Sequence, residues 1–285
     1  MCERNLPAYH RYSLKGMFHS LTAYMYFYTT SSDAINFFTS GNSILVNLWH
    51  GVGVKNFITT NAGIKDNRLF CRIFAPWILK KPDYLLVPTY YQRGYFQQLF
   101  SIKEDQLIDD IYPRCAFLKQ DLIEIVEHIK RYEPQEVPEL LNSWKQYDRI
   151  YLKKVNALLV IKQHPTVKVT NLNNQYSHIY FIDNKCDIYP ILPFTDILIT
   201  DYSSIYADYI LMEDKGVILY MFDLEEYQKN DLSLMDYEKN TPGTYAYTFT
   251  ELLEIIINKK DCGFPGRDVT LYKWWGNYKE RSMRT

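Results

Sequence analysis

Short apolar runs alternate with helical stretches along most of this chain. Ser43–Trp49, Tyr84–Pro88, Ala157–Gln163, Ile197–Thr200 and Gly216–Met221 are rich in β-branched, leucine and aromatic residues, and each reads as a strand. Strands that are apolar on both sides are those covered by helices on both faces, as in parallel sheets. Helices are predicted over Gln92–Phe100, about Ser203–Met212, and Leu252–Asn258. The fold class expected is therefore α/β. The stretch from Leu118 to Tyr151 is charged, helical in period and holds Pro134 and Pro138, so it reads as a connection between two α/β halves. This divides the chain into 1–117, 118–152 and 153–285.

Composition narrows the function classes. A length of 285 residues accommodates two domains at about 150 residues each. With 47% hydrophobic and 23% charged residues, global disorder is excluded. Lys+Arg is 32 against 33 Asp+Glu, a net charge of −1, which argues against a polybasic nucleic-acid binder and leaves room for a local basic pocket. There are 26 tyrosines. Tyrosine suits half-wet surfaces such as ligand clefts, and AT-rich codon bias gives the same excess. The five cysteines (Cys2, Cys71, Cys115, Cys186, Cys262) are odd in number and contain no C-x-x-C pair. Structural zinc and a disulfide framework are not expected, and a reducing cytoplasm fits. The first seven residues carry an acid and no apolar core, so no signal peptide is expected. Ala34–Val54 lacks charge but is interrupted by Asn36, Asn42, Asn47 and His50, and does not read as a membrane span.

In open α/β sheets, ligands bind beyond the carboxyl ends of the strands. Four strand ends here carry polar, chemically capable residues: His50-Gly51, His164-Pro165, Thr200-Asp201-Tyr202-Ser203-Ser204, and Asp223-Leu224-Glu225. Thr200–Ser204 enters a helix, where free N–H groups favour a phosphate, and where Asp201 or Ser203 equally well serves as a cap. A histidine followed by glycine approaches a substrate without obstruction, and His50 acts either as a general base or as a structural residue. Lys162 lies two residues before His164 and would share its face if the strand ran that far, so the pair either neutralises a diphosphate or is an exposed lysine beside a structural histidine. Asp223 and Glu225 either hold a ribose hydroxyl or start an acidic helix. His10, His19, His128 and His178 read as structural or surface residues. Asp109-Asp110 resembles a metal pair only superficially, and no metal site is expected.

Taken as an ordered series, these blocks resemble the CDP-glycerol glycerophosphotransferases, the teichoic acid and capsule polyol-phosphate transferases. The series is Leu48-Trp49-His50-Gly51 with Lys55, Ile111-Tyr112-Pro113-Arg114, Lys162-Gln163-His164-Pro165, Leu198 to Ser204, Phe222 to Tyr227, and Thr241-Pro242-Gly243. The resemblance runs from about Ser13 to Arg281. It implies a GT-B fold: two Rossmann-like domains facing a cleft, the N-terminal one on the acceptor side and the C-terminal one binding the nucleotide donor. It implies transfer of glycerol phosphate from CDP-glycerol to a hydroxyl of a membrane-linked acceptor, with release of CMP, at the inner face of the cell membrane. By the same resemblance His50 is the base and His164 holds or protonates the leaving phosphate. Lys55, Arg114, Lys162, Thr200, Asp201, Ser203, Ser204, Asp223 and Glu225 bind the donor. No cofactor and no essential metal are implied.

The chain departs from the family pattern at several places. Val52-Gly53 stands where Thr-Pro is usual, Ile111 where Gly precedes Tyr-Pro-Arg, and Cys115-Ala116 where Asn-Asp follows. Lys229-Asn230 lies near the place of an Arg-Gly pair. The N-terminal domain reads as incomplete, and a strand ending in Pro-Thr-x-Arg is missing before the His-Pro block. Two alternatives therefore stay open: a related transferase using CDP-ribitol or a CMP-sugar, and an inactive remnant that binds partners or lipid. Phe18, Tyr24, Tyr26, Phe27 and Tyr28, close to Arg11 and Lys15, form either an interfacial segment or ordinary packing.

Overall fold

The computed structural model describes residues 7–30, 43–51, 81–119, 157–162, 178–182, 186–213, 215–230, 237–258 and 266–277. Nine strands lie in these segments, and every pairing among them is parallel. In the first half β1 (Met25–Tyr28), β2 (Ile44–Asn47), β3 (Tyr84–Leu86) and β4 (Leu107–Ile108) form one sheet in that order. In the second half β5 (Leu159–Lys162) pairs with β6 (Ile179–Ile182). A separate ladder joins β7 (Ile197–Thr200), β8 (Gly216–Tyr220) and β9 (Thr244–Ala246). Parallel pairing brings the carboxyl ends of neighbouring strands to the same edge, which is where the candidate residues sit.

Seven helices flank these strands: α1 (Leu14–Thr22), α2 (Tyr90–Phe100), α3 (Ile205–Tyr209), α4 (Leu224–Asn230), α5 (Tyr237–Asn240), α6 (Phe249–Ile257) and α7 (Arg267–Trp275). Local chemistry sets their ends. The Thr248 hydroxyl accepts from Glu251 N, and the Glu251 carboxylate accepts from Thr248 N, a capping box that starts α6 ahead of the expected Leu252. Helix α2 begins at Tyr90 after Thr89, and stops at Ser101 in the left-handed region (φ 52). The helix expected over Ser203–Met212 is shorter, because Leu211 and Met212 close tight turns onto Asp208 and Tyr209. Arg267 then caps this end by donating to the carbonyls of Ile210 (2.8 Å) and Met212 (2.6 Å).

The largest core is built by both halves. Leu86, Tyr112, Cys115 and Leu118 from the first pack with Leu192, Tyr206, Tyr209, Val217, Leu219, Leu271, Trp274 and Trp275 from the second. Tyr112 sits edge-on to Trp275 at 5.5 Å, and Trp275 donates to the carbonyl of Ala207 at 2.7 Å. Helix α7 also meets α2 through Tyr91 and Trp274 at 5.8 Å. Leu118, expected to open the connection, is part of this core, and the rest of the expected connection (120–152) lies outside the described residues.

Candidate active site

The first element of the site is the exit from β2. Asn47 is fully buried, pairs in register with Tyr28, and accepts a hydrogen bond from Trp49 N at 2.7 Å. Its side-chain amide donates to Thr30 O at 3.3 Å. This bond turns the chain so sharply that Trp49 takes φ 55, a conformation rare for a bulky residue. The turn explains why the strand ends at Asn47 and not at the expected Trp49. Trp49 is held edge-on by Phe96 (5.4 Å) and Phe100 (5.3 Å) of α2.

The turn delivers His50 to the surface, exposed and packed on Trp49 at 4.3 Å. His50 Nδ1 lies 2.9 Å from Thr29 O. A carbonyl only accepts, so Nδ1 carries the proton, and Nε2 is the ring nitrogen left to present a lone pair. That tautomer is the one a general base requires.

The second element is the exit from β7. Thr200 ends the strand, and Asp201-Tyr202-Ser203-Ser204 leads into α3. Ser204 stands at the cap position, but its hydroxyl makes no capping hydrogen bond. The two exits meet. A Cβ on Gly51 would lie 2.8 Å from Ser204 Oγ and 3.5 Å from Arg114 Nη2. Only glycine permits this approach. The structure thus brings together four sequence-predicted features: His50, Gly51, Arg114 and Ser204.

Arg114 is engaged within the protein. Its Nε donates to Asp208 Oδ2 (2.8 Å) and to the Tyr189 hydroxyl (2.8 Å), and the Tyr189 hydroxyl donates to the same Oδ2. Burial pushes the Asp208 carboxyl up, against the pull of Arg114 and of its hydrogen-bond donors. Burial disfavours the Arg114 cation, yet Asp208 and Tyr189 hold it more firmly protonated than usual.

The β8 exit joins the same edge through Tyr202. Its ring stacks on Tyr227 at 3.8 Å and 14°, and its hydroxyl donates to Asp223 Oδ1 at 3.0 Å. Burial, then the bond to Asp223, raises the Tyr202 phenol, so it stays a neutral donor. Asp223 therefore ties the β7 and β8 exits together, and Glu225 is exposed in the first turn of α4. Lys162 ends β5, half-buried and opposite Ile182. Lys55 and His164 lie outside the described residues. Among the described residues no group of His, Cys, Asp or Glu could hold a metal ion.

Sequence reasoning missed Asn47, Asp208 and Tyr189. Asp208 had a signal: it is a lone acid in the apolar run Ile205–Met212, and a buried acid needs a partner.

Comparison with known families fits this geometry. The model described as CDP-Glycerol:Poly(glycerophosphate) glycerophosphotransferase matches residues 2–135 and 144–267. The chain belongs to this family. It is 26% identical to a teichoic acid poly(glycerol phosphate) polymerase of Bacillus spizizenii, covering 88% of this chain and 70% of that protein. It is 37% identical to the teichoic acid ribitol-phosphate polymerase TarK of Staphylococcus aureus, over 38% of this chain and 21% of that one. Among solved structures, the wall teichoic acid polymerase TagF, a histidine variant soaked with CDPG, superposes with a TM-score of 0.68. That likeness is 18% identical and covers 95% of this chain and 73% of TagF. The shared fold is GT-B-like, as expected from the sequence. The family is one of teichoic acid polyol-phosphate transferases, acting on glycerol or ribitol phosphate.

Proposed function

We propose that this glycerophosphotransferase-family chain moves glycerol phosphate from CDP-glycerol to a hydroxyl of a membrane-linked acceptor and releases CMP. The observation that carries the reading is the contact of Gly51 with Ser204. It supports a reading in which His50, next to Gly51 at the exit from β2, works opposite the hydroxyl-bearing turn at the exit from β7. His50 Nε2 takes the proton of the acceptor hydroxyl. The acceptor oxygen bonds to the phosphorus of the glycerol phosphate, and the bond from that phosphorus to the CMP oxygen breaks. CMP leaves with the electron pair, and His164 holds or protonates it. Thr200, Ser203 and Ser204 cradle the diphosphate, with Asp201, Asp223, Glu225, Lys55 and Lys162 around the nucleotide. Such a reaction depends on positioning and fixed charge.

The similarity to TarK favours CDP-ribitol as the second reading. A panel of CDP-glycerol, CDP-ribitol and a CMP-sugar, read by CMP release, decides between them. Turnover with CDP-glycerol alone supports the first reading, and turnover confined to another donor overturns it.

The exposed face of α1 supports a peripheral membrane location. Leu14, Phe18 and Leu21 lie on one helical stripe and are 88%, 62% and 51% exposed. Residues 7–30 hold Arg11 and Lys15 and no acid. An exposed apolar stripe with flanking cations suits an anionic lipid surface. Among the described residues, no helix is long and apolar enough to cross a membrane.

A further inference from the structure

A buried charge joins the two halves. Asp208, 0% exposed, belongs to α3, while Arg114 comes from the turn Pro113–Lys119. Besides the Arg114 and Tyr189 bonds, Asp208 Oδ1 accepts from Cys115 Sγ at 3.7 Å, so both carboxylate oxygens are occupied. The Tyr112 ring lies 4.7 Å from the guanidinium and Tyr189 lies 5.6 Å from it. Desolvating such a pair consumes most of its attraction, and apolar filling often stabilises as well or better. A buried ion pair does, however, define a geometry, because each partner strongly disfavours leaving the other.

That geometry has a direction. Arg114 Nη2 lies 2.7 Å from Asp208 Oδ2, but among the described residues none of its N–H bonds is aligned with an acceptor. The same nitrogen stands beside Gly51, 3.5 Å from where a Cβ would project. The guanidinium is therefore pinned by α3 on one side and lies against the His50–Gly51 loop on the other. We infer that Asp208 is a positioning residue: through Arg114 it sets the separation between the His50 loop and the Ser203–Ser204 turn. The inference rests on the transferase reading given above. A base and a donor site carried by different halves need such a pin, since misplacement by about 1 Å costs about 100-fold in rate.

The test compares Asp208→Asn, Asp208→Glu and Tyr189→Phe in the full chain, by steady-state CMP release and by hydrogen exchange. Asp208→Asn keeps the shape and removes the charge. Its kcat is expected to fall about 100-fold, with the KM for CDP-glycerol within about three-fold of the parent. Asp208→Glu restores part of the loss, and Tyr189→Phe shows a smaller fall of the same kind. Exchange protection in 112–118 and 205–212 drops together in Asp208→Asn, while β1–β3 keep theirs. Near-parental kcat with unchanged exchange overturns the inference, as does a raised KM with unchanged kcat. If Asp208→Asn does not fold, Tyr189→Phe decides by the same two readouts. If the parent releases no CMP from any donor, the transferase reading fails by itself. The exchange arm then judges the pin alone: unchanged protection overturns it, and joint loss upholds it.

Discussion

Gly51 and Ser204 touch across the two halves so closely that a Cβ on Gly51 would lie 2.9 Å from Ser204 Cβ. Gly51→Ala must therefore part the His50 loop from the turn into α3. The expected result is a fall in CMP release of roughly 10- to 100-fold. Circular dichroism would show the fold intact, since Gly51 lies outside every strand.

Asn47 holds the turn that presents His50. Asn47→Ala removes the acceptor for Trp49 N and the donor to Thr30 O in a fully buried place. The loss expected is about 1–3 kcal/mol of stability, seen in denaturant unfolding. Turnover falls as well, because the strained Trp49 turn relaxes. Asn47→Asp keeps the acceptor for Trp49 and retains more activity than the alanine variant.

The tyrosines give the alkaline behaviour. Burial, with Asp83 second, raises the Tyr28 phenol to about 12, and burial raises Tyr209 to about 12. Tyr112, Tyr189 and Tyr206 are also pushed up, chiefly by burial. A raised folded-state value favours the protonated form in the fold. The contribution of Tyr28 and Tyr209 to stability is thus complete below about pH 10, the ordinary tyrosine value, and is lost as pH rises through about 12. Phenolate absorbance is expected in two phases, exposed rings first and buried rings together with unfolding. A single phase at the ordinary value would contradict this burial.

The α1 stripe is tested with vesicles. Leu14→Asp with Phe18→Asp removes two exposed apolar side chains. Co-sedimentation with anionic vesicles is expected to fall at least about ten-fold, with CMP release from a soluble acceptor unchanged. Unaltered vesicle binding would assign the contact elsewhere.

Strand positions and parallel pairing were legible because β2, β3, β5, β7 and β8 are apolar runs of strand length. The strands β1, β4, β6 and β9 escaped the reading, β4 because it is only two residues long (Leu107–Ile108). In β1, Tyr26 and Tyr28 face inward while Met25 and Phe27 face outward, and aromatic residues on both faces blur the alternation. Strand ends were overextended at Trp49 because no local propensity announces a left-handed tryptophan. The His50 and Ser204 blocks were visible as strand-end chemistry. Their contact was not, since it depends on how two halves more than 150 residues apart in sequence come together (Gly51 and Ser204). The Tyr202–Asp223 bond was hidden for the same reason: it is a side-chain bond between the ends of adjacent strands.

The most direct measurement pairs binding with turnover for CDP-glycerol in the parent and in His50→Ala. Calorimetric titration in EDTA and then in magnesium reads the donor site, and single-turnover CMP release reads the chemistry. The account predicts donor binding in both proteins and a fall in CMP release of at least about 100-fold in His50→Ala, the scale of general-base loss. Full turnover by His50→Ala would contradict it.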